Sequence, residues 1–235
     1  MPNEYYPGNP SIFGIEERAY SIPVVVGSVF GEFKNGIRVE NRPNLTENEA
    51  LELLRRKYGD KTEYVASLFK KAYPEKNLSY LMNLDVTGFR EKTMEYLDMR
   101  AERCTAPTYG YLFALTFHID DERPAWHSSD LPFVFHNVKT NPVCHIAGVS
   151  NRVEEQMAGM WVNMAKYGSP MNDAFSEEWR PYTKSDHTVM IIDRESKIRV
   201  DHDRELISYL CEHFPDPHPN QKPDTNAEGR SFTGN

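Results

Sequence analysis

Glu32 and His127 are of residue types, and in places along the chain, that could do acid–base chemistry. Glu32 sits in Ser28-Val29-Phe30-Gly31-Glu32-Phe33, directly after the short apolar run Ile22-Pro23-Val24-Val25-Val26-Gly27. His127 sits in the polar stretch that opens at Pro124, between the apolar run Tyr109 to Phe117 and the aromatic run Phe133-Val134-Phe135. An imidazole can take the proton of a hydroxyl nucleophile, while a carboxylate on its other nitrogen fixes the tautomer and stabilises the imidazolium. Singly each signal is weak, because an isolated Glu is ordinarily exposed and a lone loop His ordinarily solvated. Together, each on a loop beyond an apolar strand, they make a candidate acid and base. A nucleophile is harder to find: Gly27-Ser28 and Gly148-Val149-Ser150-Asn151-Arg152 both fail the G-x-S-x-G pattern that exposes a serine on a strand-to-helix turn.

The elements that would hold this pair follow from apolar spacing. Ile22 to Gly27 is β-branched and apolar on both faces, the pattern of a central parallel strand, with Pro23 tolerable only near its start. Tyr109 to Phe117 reads as a long aromatic strand and Thr188 to Asp193 as a short late one. Between the first two, about 45–104, the pattern is helical. Thr46 and Glu49 form a capping box ahead of Leu51, Leu54 and Tyr58; Val65, Leu68, Phe69 and Ala72 make a second stripe that Pro74 stops; Phe89, Met94, Leu97 and Met99 mark a third segment. These helices read as a subdomain inserted between two strands, their mixed charges as solvated surface. A further helix runs from Ser150 or Asn151 to Tyr167, with Val153, Met157, Met160, Trp161 and Met164 inward and Gly168 as its stop. Asp203 to His213 closes the fold, and 214–235, Pro-rich and polar, reads as a disordered tail.

Composition narrows the function classes. At 235 residues, 39% hydrophobic and 26% charged, the chain suits one α/β domain with a single large core. A net charge of −8 argues against nucleic acid and anionic membrane surfaces as partners, since such binding rests on Lys and Arg displacing counterions. No apolar run approaches the roughly 20 residues that span a bilayer. The N-terminus lacks the basic, apolar, small-residue order of a signal peptide, so the sequence reads as cytosolic. Cys104, Cys144 and Cys211 are odd in number and widely spaced, which suits reduced thiols and gives no zinc pattern.

The motifs resemble one family, the type-B carboxylesterases, relatives of cholinesterases and para-nitrobenzyl esterases. The Ile22 to Ser28 run followed by Glu32 is similar to that family's strand and acid loop. His127-Ser128-Ser129-Asp130-Leu131-Pro132-Phe133-Val134-Phe135 is similar to its His loop, Gln156 to Pro170 to its W-x-x-F-A-x-x-G-x-P helix, and Trp179, Pro181 and Tyr182 to its W-P-x-Y turn. The resemblance implies the C-terminal part of an α/β-hydrolase sheet, with Glu32 as triad acid, His127 as base and Asp130 supporting the site from behind. It implies a small-molecule ester substrate, with Trp126 and Phe30 bordering the pocket, and no metal or organic cofactor. Three departures stand out: Ser128 replaces the usual Gly, Asp130 a Glu, and Gly31-Glu32-Phe33 an acidic-Glu-Gly. The family's nucleophile elbow and glycine-rich oxyanion loop lie upstream of the acid and do not occur here, so the resemblance also implies a larger enzyme, or a second chain, that carries the missing N-terminal half. A noncatalytic cholinesterase-like interaction module and a truncated product remain as alternatives.

Overall fold

The computed structural model describes residues 14–34, 36–86 and 88–215. Its centre is a sheet in which β1 (Val24–Val29), β2 (Thr108–Phe113) and β5 (Thr188–Ile192) run parallel, in that spatial order, with β6 (Lys197–Val200) antiparallel on β5. The register pairs Val24 with Thr108 through Val29 with Phe113, and Gly110 with Val189 through Phe113 with Ile192. β2 and β5 are buried along their whole length, as runs apolar on both faces require.

Against the expectation of a central strand, β1 is the end strand of the described sheet, and Val24 to Gly27 are only half-buried. Val24 N–H donates to Pro107 O (3.1 Å) and Phe30 N–H to Phe113 O (2.9 Å). By the alternation of a strand, the N–H groups of Val25, Gly27 and Val29 therefore point away from β2.

The run from Tyr109 to Phe117 is not one strand. After Phe113 the chain changes partners: Ala114 N–H still reaches Ile192 O (2.8 Å), whereas Thr116–Phe117 (β3) pairs antiparallel with Arg123–Pro124 (β4). Between β3 and β4, Asp120, Asp121 and Glu122 all take positive φ (46°, 58° and 63°), a left-handed run that folds the hairpin back.

Three longer helices separate β1 from β2 in the chain. α1 (Glu47–Tyr58) opens with the expected capping box: Thr46 N–H donates to the Glu49 carboxylate (2.8 Å) and Glu49 N–H to Thr46 Oγ1 (3.3 Å). α2 (Thr62–Ala72) buries Val65, Leu68, Phe69 and Ala72, the predicted stripe. α3 (Arg90–Arg103) packs on β1 and β2.

Reading the charges of α3 as solvated fails for two of them. Arg90 and Arg100 are 2% and 1% exposed, while Phe89 is 41% exposed. Arg100 Nε donates to Thr108 Oγ1 (2.8 Å) and its Nη2 to Ile22 O (2.7 Å), pinning the helix to the starts of both strands. Arg90 pairs with the buried Asp203 (Nε–Oδ2 2.9 Å, Nη2–Oδ1 2.5 Å), which also accepts the Tyr73 hydroxyl (2.7 Å). Buried charge survives where it is paired, as Arg90 is with Asp203 although its Nη1 is buried with no hydrogen-bond partner, and apolar periodicity does not report such pairs.

Downstream, α4 (Leu131–Val134) packs on α5 (Ser150–Tyr167), and α6 (Arg204–His213) closes on α2 and α3. Val153, Met157 and Met160 face inward as expected, but Trp161 is 37% exposed. Gly168 ends α5 at φ 69°, the left-handed stop that favours glycine. All three cysteines are free thiols. Among the described residues no helix is long and apolar enough to cross a membrane. Of the expected tail only Phe214 and Pro215 are described; 216–235 lie outside the described residues, as do 1–13.

Candidate active site

Glu32 lies in the turn immediately beyond β1, where the outward-facing Val29 N–H meets its carboxylate: Val29 N–H donates to Oε1 at 2.8 Å. His127 reaches the same turn through the β3–β4 hairpin. Gly31 N–H donates to Ala125 O (2.9 Å) and His127 N–H to Glu32 O (2.9 Å), so backbone bonds splice the two loops before any side chain acts. Glycine is required at position 31, because a Cβ there would sit 2.6 Å from Ala125 O and 3.1 Å from Asn83 O.

The splice sets the side chains face to face. His127 Nδ1 is 2.8 Å from Glu32 Oε2. The Glu32 side chain is 8% exposed and that of His127 46%. One side of the pair is thus dry and the other open. Burial raises the Glu32 carboxyl above its usual range, opposed by its bonds to His127 and Val29 and by the His127 charge, and assisted by nearby Asp85. With Nδ1 donating to the carboxylate, Nε2 is the nitrogen left to accept a proton, which is the division of labour of an acid–base couple.

The carboxylesterase family profile, described as "Carboxylesterase family", matches residues 17–209. The chain belongs to the carboxylesterase family. Among solved structures it is similar to an esterase from anaerobic Clostridium hathewayi that can hydrolyse aliphatic aromatic polyesters, at 32% identity and TM-score 0.83, over 90% of this chain and 42% of that one. It also resembles a PNB esterase (18%, TM-score 0.58, 87% of this chain and 41% of that one) and a Geobacillus stearothermophilus carboxylesterase (22%, TM-score 0.52, 81% and 40%), likenesses that bear on the fold alone. Comparison with curated proteins gives no match. The chain spans about two fifths of the length of the solved esterases it resembles. The type-B resemblance and the α/β-hydrolase class drawn from the sequence both hold.

The other expected site residues fall in different places. Asp130 is half-buried at the start of α4; burial raises its carboxyl, and the His127 charge opposes the rise. Trp126 is half-buried, its ring 4.9 Å from Phe117 with the Arg123 guanidinium 4.6 Å above it. Phe30 is 1% exposed and packs edge-on to Tyr73 at 5.3 Å. It is a core residue rather than a pocket wall, because a side chain already sealed by its own fold has no surface left for a ligand. A cavity of about 670 Å³ does open nearby, lined by Arg42, Lys76, Tyr80, His118 and Asp193 among others, but neither Glu32 nor His127 lines it.

Sequence reasoning passed over three residues that shape the pair. Tyr111, buried in β2, has its hydroxyl raised by burial and by the charges of both Asp130 and Glu32. Asp85, 3% exposed, ties the acid loop to α3: its N–H donates to Phe30 O (2.8 Å) and its carboxylate accepts Phe89 N–H (2.7 Å) and Arg90 N–H (3.0 Å). Phe33 stacks on the His127 ring. Only the third had a signal, standing where the family has Gly.

Proposed function

We propose that this carboxylesterase chain supplies the acid and base of a Ser-His-Glu ester hydrolase, with Glu32 as the acid and His127 as the general base. The observation that carries this reading is the 2.8 Å contact between His127 Nδ1 and a nearly buried Glu32, on an imidazole that stays partly exposed to solvent. In acyl transfer the imidazole takes the serine proton as Oγ attacks the ester carbonyl, then returns it to the leaving alcohol. Glu32 stabilises the imidazolium in between. The serine and the oxyanion donors come from outside these 235 residues, on a longer chain or a second one, so the chain alone is inactive. Asp130 supports the base from behind, and Trp126 borders the alcohol or acyl group. The substrate is a small, weakly polar ester; the ester bond as its target is supported by the 32% identical Clostridium hathewayi enzyme, which can hydrolyse aliphatic aromatic polyesters.

Two measurements test this. A serine-directed phosphonate should leave the chain unlabelled by mass spectrometry; an adduct on any of its serines would show that it carries a nucleophile after all. When the chain is joined to an upstream segment carrying G-x-S-x-G, ester turnover should appear, and His127→Gln should lower it by roughly 10,000-fold or more without unfolding the protein. Turnover retained in that variant would remove His127 from the reaction.

A further inference from the structure

A hydrogen bond to one ring nitrogen holds an imidazole at one edge and leaves its plane free to swing. Glu32 grips His127 only in this way, through Nδ1 and the backbone N–H. The plane is met by an aromatic face: the Phe33 ring lies 4.5 Å from that of His127, at an interplanar angle of 29°. Phe89 stands beside the stacked pair, 5.5 Å from Phe33 and 6.4 Å from His127, nearly parallel to the imidazole at 24°. This flanking ring is anchored, since Asp85 accepts Phe89 N–H while its own N–H is bound to the acid loop.

We propose that Phe33, flanked by Phe89, is a positioning residue for His127, fixing the plane of the imidazole so that Nδ1 stays on Glu32 and Nε2 stays aimed at the open side. The proposal rests on the reading of His127 as the base, and it concerns how that base is held. Phe33 acts through the ring it stacks on. Released from the stack, the ring swings out, Nδ1 meets water, and the proton is free to move to Nε2, the wrong tautomer for a base. An aromatic pair of this kind favours the held orientation by roughly fivefold.

The intact chain, labelled with nitrogen-15 at histidine, provides the test. Above the pH at which the imidazole loses its charge, long-range proton–nitrogen spectra should show His127 as one tautomer, protonated at Nδ1, with ring protons shifted upfield by the stack. Phe33→Leu keeps apolar volume without a flat face; the two nitrogen resonances should then approach each other, by roughly a quarter of their separation where a fivefold loss of bias takes the tautomer ratio from about 25:1 to about 5:1. Phe33→Tyr should restore the wild-type pattern. Amide resonances away from the loop report that each variant is folded, and Phe89→Leu, which removes only the flanking ring, gives a smaller shift in the same direction should Phe33→Leu unfold. Unchanged nitrogens in Phe33→Leu, or a Phe33→Tyr that behaves like it, would overturn the positioning role and leave the Glu32–His127 couple standing. A wild-type ring protonated at Nε2 would overturn both.

Discussion

At the scale of single residues, the site depends on backbone geometry that few residue types tolerate. Ser128 follows the candidate base at φ 69°, in the left-handed region where a Cβ crowds the neighbouring carbonyl. The family pattern has Gly here, and this angle is the physical reason. Its side chain is exposed, so little packing offsets the strain. Ser128→Gly should therefore stabilise the chain by about 0.5–1 kcal/mol, a gain reduced by the greater freedom of glycine in the unfolded state. Urea denaturation would check this; a loss of stability would mean that Ser128 makes a stabilising contact through its hydroxyl. Gly31 is the reverse case. There the pressure comes from Ala125 O across the loop splice, a neighbour 94 residues away that no local rule announces.

At the scale of elements, α3 is held by charge where the sequence suggested only apolar packing. Arg90 on α3, Tyr73 after α2 and Asp203 before α6 meet in one buried cluster, and Arg100 ties the far end of α3 to Ile22 and Thr108. The Arg90 guanidinium beside it holds the Asp203 carboxyl at about 2, against the desolvation that would raise it. Removing one partner strands the other charge in the core, so Asp203→Asn should cost about 3–5 kcal/mol, whereas the double change Arg90→Met with Asp203→Leu should cost less than the single one. Chemical denaturation of both variants checks this. A double variant less stable than the single one would show that the cluster contributes net stability of its own. Because Asp85 at the α3 N-terminus also grips the acid loop, loosening α3 should reach Glu32 as well.

At the scale of the whole molecule, the same cluster sets the response to acid. His202 packs edge-on to Tyr73 at 4.6 Å, and burial lowers its imidazole from 6.5 to about 4. Between those values the unfolded chain takes up a proton that the folded one refuses, so stability falls as pH drops through the window, by about 3 kcal/mol in all. Asp203 adds a second fall lower down. Its folded carboxyl is depressed from 3.8 to about 2, so the stability it contributes is present above 3.8 and is lost as pH falls toward 2. His202→Phe keeps a ring against Tyr73 and removes the proton site; thermal unfolding from pH 7 to 4 should then be much flatter than in the wild type. An equally steep decline would place the titrating group elsewhere.

The sequence by itself determined the elements and the chemistry they could carry. Stripes such as Val65, Leu68, Phe69 and Ala72, the Thr46 capping box and the Gly168 stop are local, and local sterics and solvation write them directly into residue order. Glu32 and His127 were legible for a related reason, each being a polar residue just beyond an apolar run. What lies 95 residues apart in the chain was joined only by tertiary structure. The partner change after Phe113 broke one expected strand into two, and the resulting hairpin delivered His127 to Glu32. The place of β1 at the end of the described sheet, the sealing of Phe30, the burial of Arg90 and Arg100 and the stack of Phe33 on the imidazole were decided in the same way. Each depends on which surfaces meet across the fold, and residue order along one strand or helix does not contain that.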